Sequence, residues 1–152
     1  MYKTILVPHS GTEESDKALK HAIHAADNTS KIILLHIVET ISYPSSFALA
    51  LSERELLIKS IDVANNELRE GMMKELEKKT QQCREHNIKS EIKVEIGDAA
   101  QIIFNAIDKE NVDLVVIARR RKSKMMRKLT SLGSVSRKVV ENAPCPVLLI
   151  EV

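Results

Sequence analysis

Apolar residues recur along this chain in two alternating rhythms. Short runs rich in β-branched residues lie at Thr4 to Val7, Ile32 to Val38, Ile88 to Ile96, Leu114 to Ile117 and Val147 to Ile150. The second and fourth, Ile-Ile-Leu-Leu-His-Ile-Val and Leu-Val-Val-Ile, are almost unbroken hydrophobes, as expected of strands that helices cover on both faces. The third alternates over Lys89-Ser90-Glu91-Ile92-Lys93-Val94-Glu95-Ile96 and is expected at a sheet edge with one face wet. Between these runs the apolar spacing changes to three and four. Ala18, Leu19, Ala22, Ile23 and Ala26 form a helical stripe. Ser10-Gly11-Thr12-Glu13 offers a capping-box start for it, with Glu14 and Asp16 favouring the positive end. A long polar segment from Ser52 to about Cys83 carries Leu57, Ile61, Ala64, Leu68, Met72 and Leu76 on one face. Ser52 and Glu55 offer it a second capping box. Asp98 with Gln101 opens a third helix bearing Ile102, Ile103, Ala106 and Ile107. The last helix follows Gly133, carries Val135, Val139, Val140 and Ala143, and stops before Pro144.

The order is therefore βαβαβαβαβ, without internal repeat, low-complexity tract or linker, and 1–152 reads as a single α/β domain. Such alternation implies a parallel sheet joined by right-handed crossovers. Thr40 to Leu51 is the one long connection between an early strand and a helix, and loops of that length are usually functional or mobile.

Composition narrows the function classes. With 43% apolar and 29% charged residues, the 152-residue chain has the balance of a soluble globular domain. Twenty-three Lys and Arg against 21 Asp and Glu argue against a surface built wholly for nucleic acid. Aromatics at 3%, with no Trp, argue against base-stacking platforms and carbohydrate-binding walls. Cys83 and Cys145 cannot build a disulfide framework and fit a reducing cytoplasm. No apolar run reaches the roughly 20 residues a membrane helix needs, and the amino terminus lacks a signal peptide's longer apolar stretch. A cytoplasmic location is expected.

Ligands of open parallel sheets bind beyond the carboxyl ends of the strands, where the strand order reverses. The first and fourth strands end in Pro8-His9-Ser10-Gly11 and Ile117-Ala118-Arg119-Arg120-Arg121. The last helix opens at Gly133-Ser134-Val135-Ser136, where free amides and hydroxyls can converge on an anion or simply cap the helix. Other candidates are weaker. His21 and His24 stand three apart on a helix, but nothing completes a metal set. His36, inside an apolar run, reads as a satisfied core histidine, while His9 borders the expected crevice. No Ser-His-acid spacing stands out, and Gly133-Ser134 lacks a hydrolase elbow. Cys145 reads as a buried small residue starting the last strand. Met72 and Met73, and Met125 and Met126, read as packing. Glu13, Glu14 and Asp16 read as helix-start charges and not as an acid–base pair.

Several of these segments together resemble the universal stress protein family: Ile5-Leu6-Val7-Pro8, Leu35-His36-Ile37-Val38, Gly97-Asp98, Asp113-Leu114-Val115-Val116-Ile117, and Leu132-Gly133-Ser134-Val135-Ser136 followed by Ala143-Pro144-Cys145-Pro146-Val147-Leu148. The resemblance runs over essentially the whole chain and is most specific from Leu132 to Leu148. It implies an open five-stranded parallel sheet of order 3-2-1-4-5 with helices on both faces. It implies a stress-response or signalling role and a homodimer formed through the C-terminal strand. It also implies binding of ATP or another adenine nucleotide, with Mg2+ only if ATP binds, and at most slow ATP hydrolysis in place of metabolic catalysis. Pro8 and Ile37 would then wall the adenine, with Ser10 and the backbone near Ile117 and Ala118 on the ribose side. Gly133, Ser134, Val135 and Ser136 would form the phosphate end.

The chain departs from the family's nucleotide-binding form in the phosphate loop. Binding members carry Gly-x-x-Gly, nine residues, then Gly-Ser or Gly-Thr. Here Ala118 and Arg121 take the first two glycine positions, and eleven residues, Lys122 to Leu132, precede Gly133. Ser10 also replaces a usual Asp. In place of the glycines, Arg119, Arg120, Arg121, Lys122, Lys124, Arg127 and Lys128 form a basic run without an intervening acid. Its guanidinium groups could hold phosphate oxygens in place of the lost backbone cradle, or the run is a solvated loop. The alternative function is a dimeric interaction protein that binds no nucleotide, with the loop 119–128 contacting an anionic partner. Nucleic acid is disfavoured as that partner because no aromatics interleave with the charges.

Overall fold

Valine, isoleucine and leucine dominate the inner strands, and their alternating side chains feed two separate cores. The computed structural model describes residues 1–39, 50–119 and 135–152. Its elements are β1 (Thr4–Pro8), α1 (Glu13–Ala25), β2 (Lys31–Val38), α2 (Leu51–Glu85), β3 (Lys89–Ile96), α3 (Ala99–Glu110), β4 (Leu114–Arg119), α4 (Val135–Asn142) and β5 (Val147–Glu151). All four strand pairings are parallel, in the order β3-β2-β1-β4-β5. On one face Ile5, Val7, Ile32, Leu34 and Val116 pack against Ala18, Leu19 and Ala22 of α1 and against Leu76 and Cys83 of α2. On the other, Leu6, Ile33, Leu35, Val115 and Ile117 pack against Ile102, Ile103 and Ile107 of α3 and against Val139 of α4. Two-sided burial explains the unbroken hydrophobes of β2 and β4. β3 lies at one edge, as its alternation predicts, and β5 lies at the other.

Asp113 ties the starts of the two central strands together. Its carboxylate accepts the N–H groups of Lys3 at 2.8 Å and Thr4 at 2.9 Å. Its own N–H donates to the Thr4 carbonyl at 3.0 Å. Asp113→Ala removes two hydrogen bonds, one of them part-buried, and is expected to cost about 1–2 kcal/mol, read as a lower urea midpoint at unchanged slope.

Three local readings are corrected. Thr12, not Ser10, caps α1, its side chain accepting the Ser15 N–H. α2 starts ahead of the Ser52–Glu55 box: Ala50 is the N-cap residue, and Glu53 Oε2 accepts the Ala50 N–H at 3.2 Å. Leu68, expected on the apolar face of α2, is 54% exposed, while Ile61, Asn65, Leu76 and Cys83 are buried. At 3.6 residues per turn the inward seam passes through Asn65 and leaves Leu68 at its margin. The Asp98 cap of α3 is as expected, accepting the Gln101 N–H at 3.0 Å.

Candidate functional site

The central strands part where the strand order reverses. β1 and β4 pair only at Ile5–Leu114 and Leu6–Val115, whereas β1 stays paired with β2 out to Pro8–Leu35. Proline has no N–H to continue a ladder, and the chain leaves β1 and β4 towards opposite neighbours. The gap opens into a crevice of about 340 Å³ at the carboxyl ends of the strands. Pro8, Ser10, Ile37, Ile117, Ala118, Val135 and Ser136, all anticipated from the sequence, line it together. Arg121, Gly133 and Ser134 lie outside the described residues, as do positions 120–128 of the basic run and 40–49 of the long connection. Arg119, the last residue of β4, reaches the crevice, and so does Glu39 just beyond β2.

The β1–α1 turn forms the floor. Gly11 sits at φ +81°, a left-handed conformation that favours glycine. A Cβ there would stand 3.1 Å from Met72 Cε, so α2 closes down on the turn. Ser10 Oγ lies 2.8 Å from Ser15 Oγ and 3.1 Å from Thr12 Oγ1, and the Ser10 N–H donates to Ser15 Oγ at 3.1 Å. These three hydroxyls make a neutral polar edge able to donate to or accept from a bound group.

Beneath this edge lies His9, a residue only 2% exposed. Its Nδ1 accepts the Gly11 N–H at 3.1 Å, and its Nε2 lies 3.0 Å from Asp16 Oδ1. A backbone N–H can only donate, so the single imidazole proton sits on Nε2 and points at the carboxylate. Asp16 Oδ2 in turn accepts from Lys79 Nζ of α2 at 2.9 Å. The His9 carbonyl accepts from His36 Nδ1 at 2.7 Å, and the His9 N–H donates to the Leu35 carbonyl at 2.8 Å. Burial pushes the His9 imidazole below its ordinary value of 6.5, and the favourable charge and hydrogen bond of Asp16 do not restore it. Burial pushes the Asp16 carboxyl up, but Lys79 and His9 outweigh it and hold the group below 3.8. At neutral pH the contact is thus a neutral imidazole donating to an ionised carboxylate.

His36 is satisfied at Nδ1, as its apolar setting suggests, and it also lines the crevice. The packing of Met72 and Met73 against the first core agrees with their reading; Met125 and Met126 lie outside the described residues. Asp16 does more than favour a helix start. Cys145 is half-buried and precedes β5 instead of opening it, and burial raises its thiol above the ordinary value of 9.0. Ser15 was legible in principle, because a Thr12 cap places it at the third helical position. Lys79 carried no local sign. Among the described residues, no group of three or more His, Cys, Asp and Glu side chains is placed to hold a metal ion. None of the described helices is long and apolar enough to cross a membrane.

Known proteins resemble this chain in sequence and fold. The sequence profile of the universal stress protein family matches residues 1–151. The universal stress protein YxiE of Bacillus subtilis is 30% identical over 152 residues, covering 99% of each chain. The solved structure of Methanocaldococcus jannaschii MJ0577 superposes with a TM-score of 0.74 at 25% identity, covering 100% of this chain and 97% of that one. An Arabidopsis thaliana protein of the family, solved with AMP bound, superposes with a TM-score of 0.60 at 18% identity over 98% of this chain and 91% of that one. With its profile matched almost end to end and the 3-2-1-4-5 sheet in place, the chain belongs to the universal stress protein family.

Proposed function

We propose that this chain binds an adenine nucleotide in the crevice and acts as a cytoplasmic stress-response or signalling domain, assembled as a homodimer through β5. The observation that carries this reading is the convergence of Pro8, Ser10, Ile37, Ile117, Ala118, Val135 and Ser136 on one cavity of about 340 Å³. That volume lies within the range of small-molecule sites, and its walls are mainly apolar with a few polar groups. The AMP found in the Arabidopsis relative supports the ligand class. Pro8 and Ile37 flank the adenine ring, while Ser10 and the backbone at Ile117 and Ala118 face the ribose. Gly133 and Ser134, with Val135 and Ser136 at the start of α4, take the phosphates, because the opening turn of a helix leaves N–H groups aimed at an anion. Arg121 and its basic neighbours replace part of the glycine cradle with side-chain contacts. Mg2+ enters only with ATP. Any ATPase activity is slow, as the family resemblance implies.

A second reading is favoured by the loop sequence itself. Ala118 and Arg121 in place of glycine remove the backbone freedom that a phosphate nest requires. On that reading the chain is a dimeric interaction protein whose basic residues 119–128 meet an anionic partner. Titrations of AMP, ADP and ATP at two salt concentrations separate the two. Nucleotide binding through Arg and Lys predicts affinity rising with phosphate number and falling steeply with salt, since exposed charges are screened over about 8 Å at physiological ionic strength. Gly133→Val should abolish binding while leaving the circular dichroism spectrum unchanged. Absence of binding by all three nucleotides favours the interaction protein.

A further inference from the structure

Every polar group of His9 is engaged, and its contacts tie together three segments around the crevice: Leu35 and His36 in β2, which line it, Gly11 in the turn beside Ser10, and Asp16 in α1. The Gly11 contact is the one that depends on protonation. With the proton on Nε2, the Nδ1 lone pair receives the Gly11 N–H. A second proton would set N–H against N–H across 3.1 Å. Gly11 would then have to swing, and it stands between Ser10, which lines the crevice, and Thr12, whose hydroxyl lies 3.1 Å from Ser10 Oγ.

We infer that His9 is the positioning residue of the crevice: in its Nε2–H form it holds Gly11, and through it the Ser10–Thr12 edge, in the shape that accepts a ribonucleoside, and a second proton releases that edge. The ligand named here rests on the nucleotide reading above, whereas the behaviour of the turn does not. His9 lines the crevice, but its side chain is fully buried, so in this scheme the imidazole acts through Gly11 and Ser10 and does not touch the ligand. The described groups that face it set the direction of the response. Asp16 from α1 favours the imidazolium, while burial, Lys79 from α2 and His36 from β2 oppose it, and the opposing influences prevail. A lowered histidine is neutral at pH 7, so the accepting form is full above the ordinary value of 6.5 and is lost as the pH falls through the lower folded value.

Two substitutions separate positioning from mere packing. Asparagine sets its Oδ1 near the place of Nδ1 and keeps an acceptor for Gly11 without a titrating group. Glutamine reaches towards Asp16 but offers Gly11 nothing. The probe is adenosine, which has no group titrating between about pH 5 and 8, measured by calorimetry on the full chain. Unmodified protein should bind less tightly with acidification below pH 6.5, by up to about ten-fold. His9→Asn should bind within about three-fold of the unmodified chain at pH 7.5 and lose the pH dependence. His9→Gln should bind about ten-fold more weakly at pH 7.5. Equal affinities in the two variants would overturn the inference. Nitrogen-15 spectra of the His9 ring at pH 7.5 provide a readout without ligand: the Nε2–H tautomer is expected, and the Nδ1–H tautomer overturns the inference. If adenosine fails to bind the unmodified chain, the nucleotide reading falls, while the ring spectra and faster Gly11 amide exchange in His9→Gln than in His9→Asn still judge the role of His9.

Discussion

Truncation of Leu76 to alanine is expected to cost the fold about 3 kcal/mol, whereas the same truncation of Leu68 should cost no more than about 0.5 kcal/mol. Both leucines lie on α2, and their spacing from Met72 places them on one apolar stripe of the sequence. In the fold Leu76 is fully buried in the first core, beside Leu34 and Leu19, while Leu68 is 54% exposed. Removing Leu76 takes away transfer free energy and leaves a cavity among side chains held by a rigid sheet. Removing Leu68 exposes little that was not already wet. Against a total stability of about 5–15 kcal/mol, the first change should move the urea midpoint far and the second hardly at all. Equal midpoints for the two variants would mean that α2 is seated differently on the sheet.

Leu149→Pro is expected to convert the proposed homodimer into a folded monomer, halving the mass seen by light scattering at micromolar concentration. The β4–β5 ladder has the Val115 N–H donating to the Pro146 carbonyl and the Val152 N–H donating to the Arg119 carbonyl. Bonding in a parallel ladder alternates along each strand, so the N–H groups of Leu148 and Ile150 face β4 while those of Leu149 and Glu151 face outward. On the backbone, proline at 149 deletes only an outward donor, which edge strands tolerate, while the loss of the half-buried Leu149 side chain from the margin of the second core costs the subunit some stability. Proline at 148 would instead break the inner ladder and should destabilise the subunit. β5 is half-buried at Val147, Leu149 and Ile150 and leaves Leu148 39% exposed, an apolar edge that invites pairing with a second strand. A mass unchanged by Leu149→Pro would remove β5 as the dimer seam.

What the sequence determined was whatever depends on period and on local chemistry. Unbroken hydrophobes in β2 and β4 announced strands buried on both faces, and alternation in β3 announced an edge, because side-chain direction follows from position along the strand. The alternation of strands with helices implied the parallel sheet, and a parallel sheet places its crevice at the carboxyl ends. Pro8, Ile117 and Val135 could therefore be assigned to one site although they are far apart along the chain. The start of α1 could not be read in the same way. Ser10, Thr12 and Ser15 are all capping residues with similar local preferences, and the pinning of His9 beneath the turn leaves Ser10 outside the helix with Thr12 as the cap. Asp16 and Lys79, 63 positions apart, meet only because α1 and α2 cover the same face of the sheet. The depressed basicity of His9 has the same origin, since burial outweighs its acidic neighbour once the helices have closed over it. Leu68 lost its place in the core to Asn65 for a related reason. A stripe of apolar residues defines a helical face to within one or two positions, and the line of contact with the sheet decides which of them is covered.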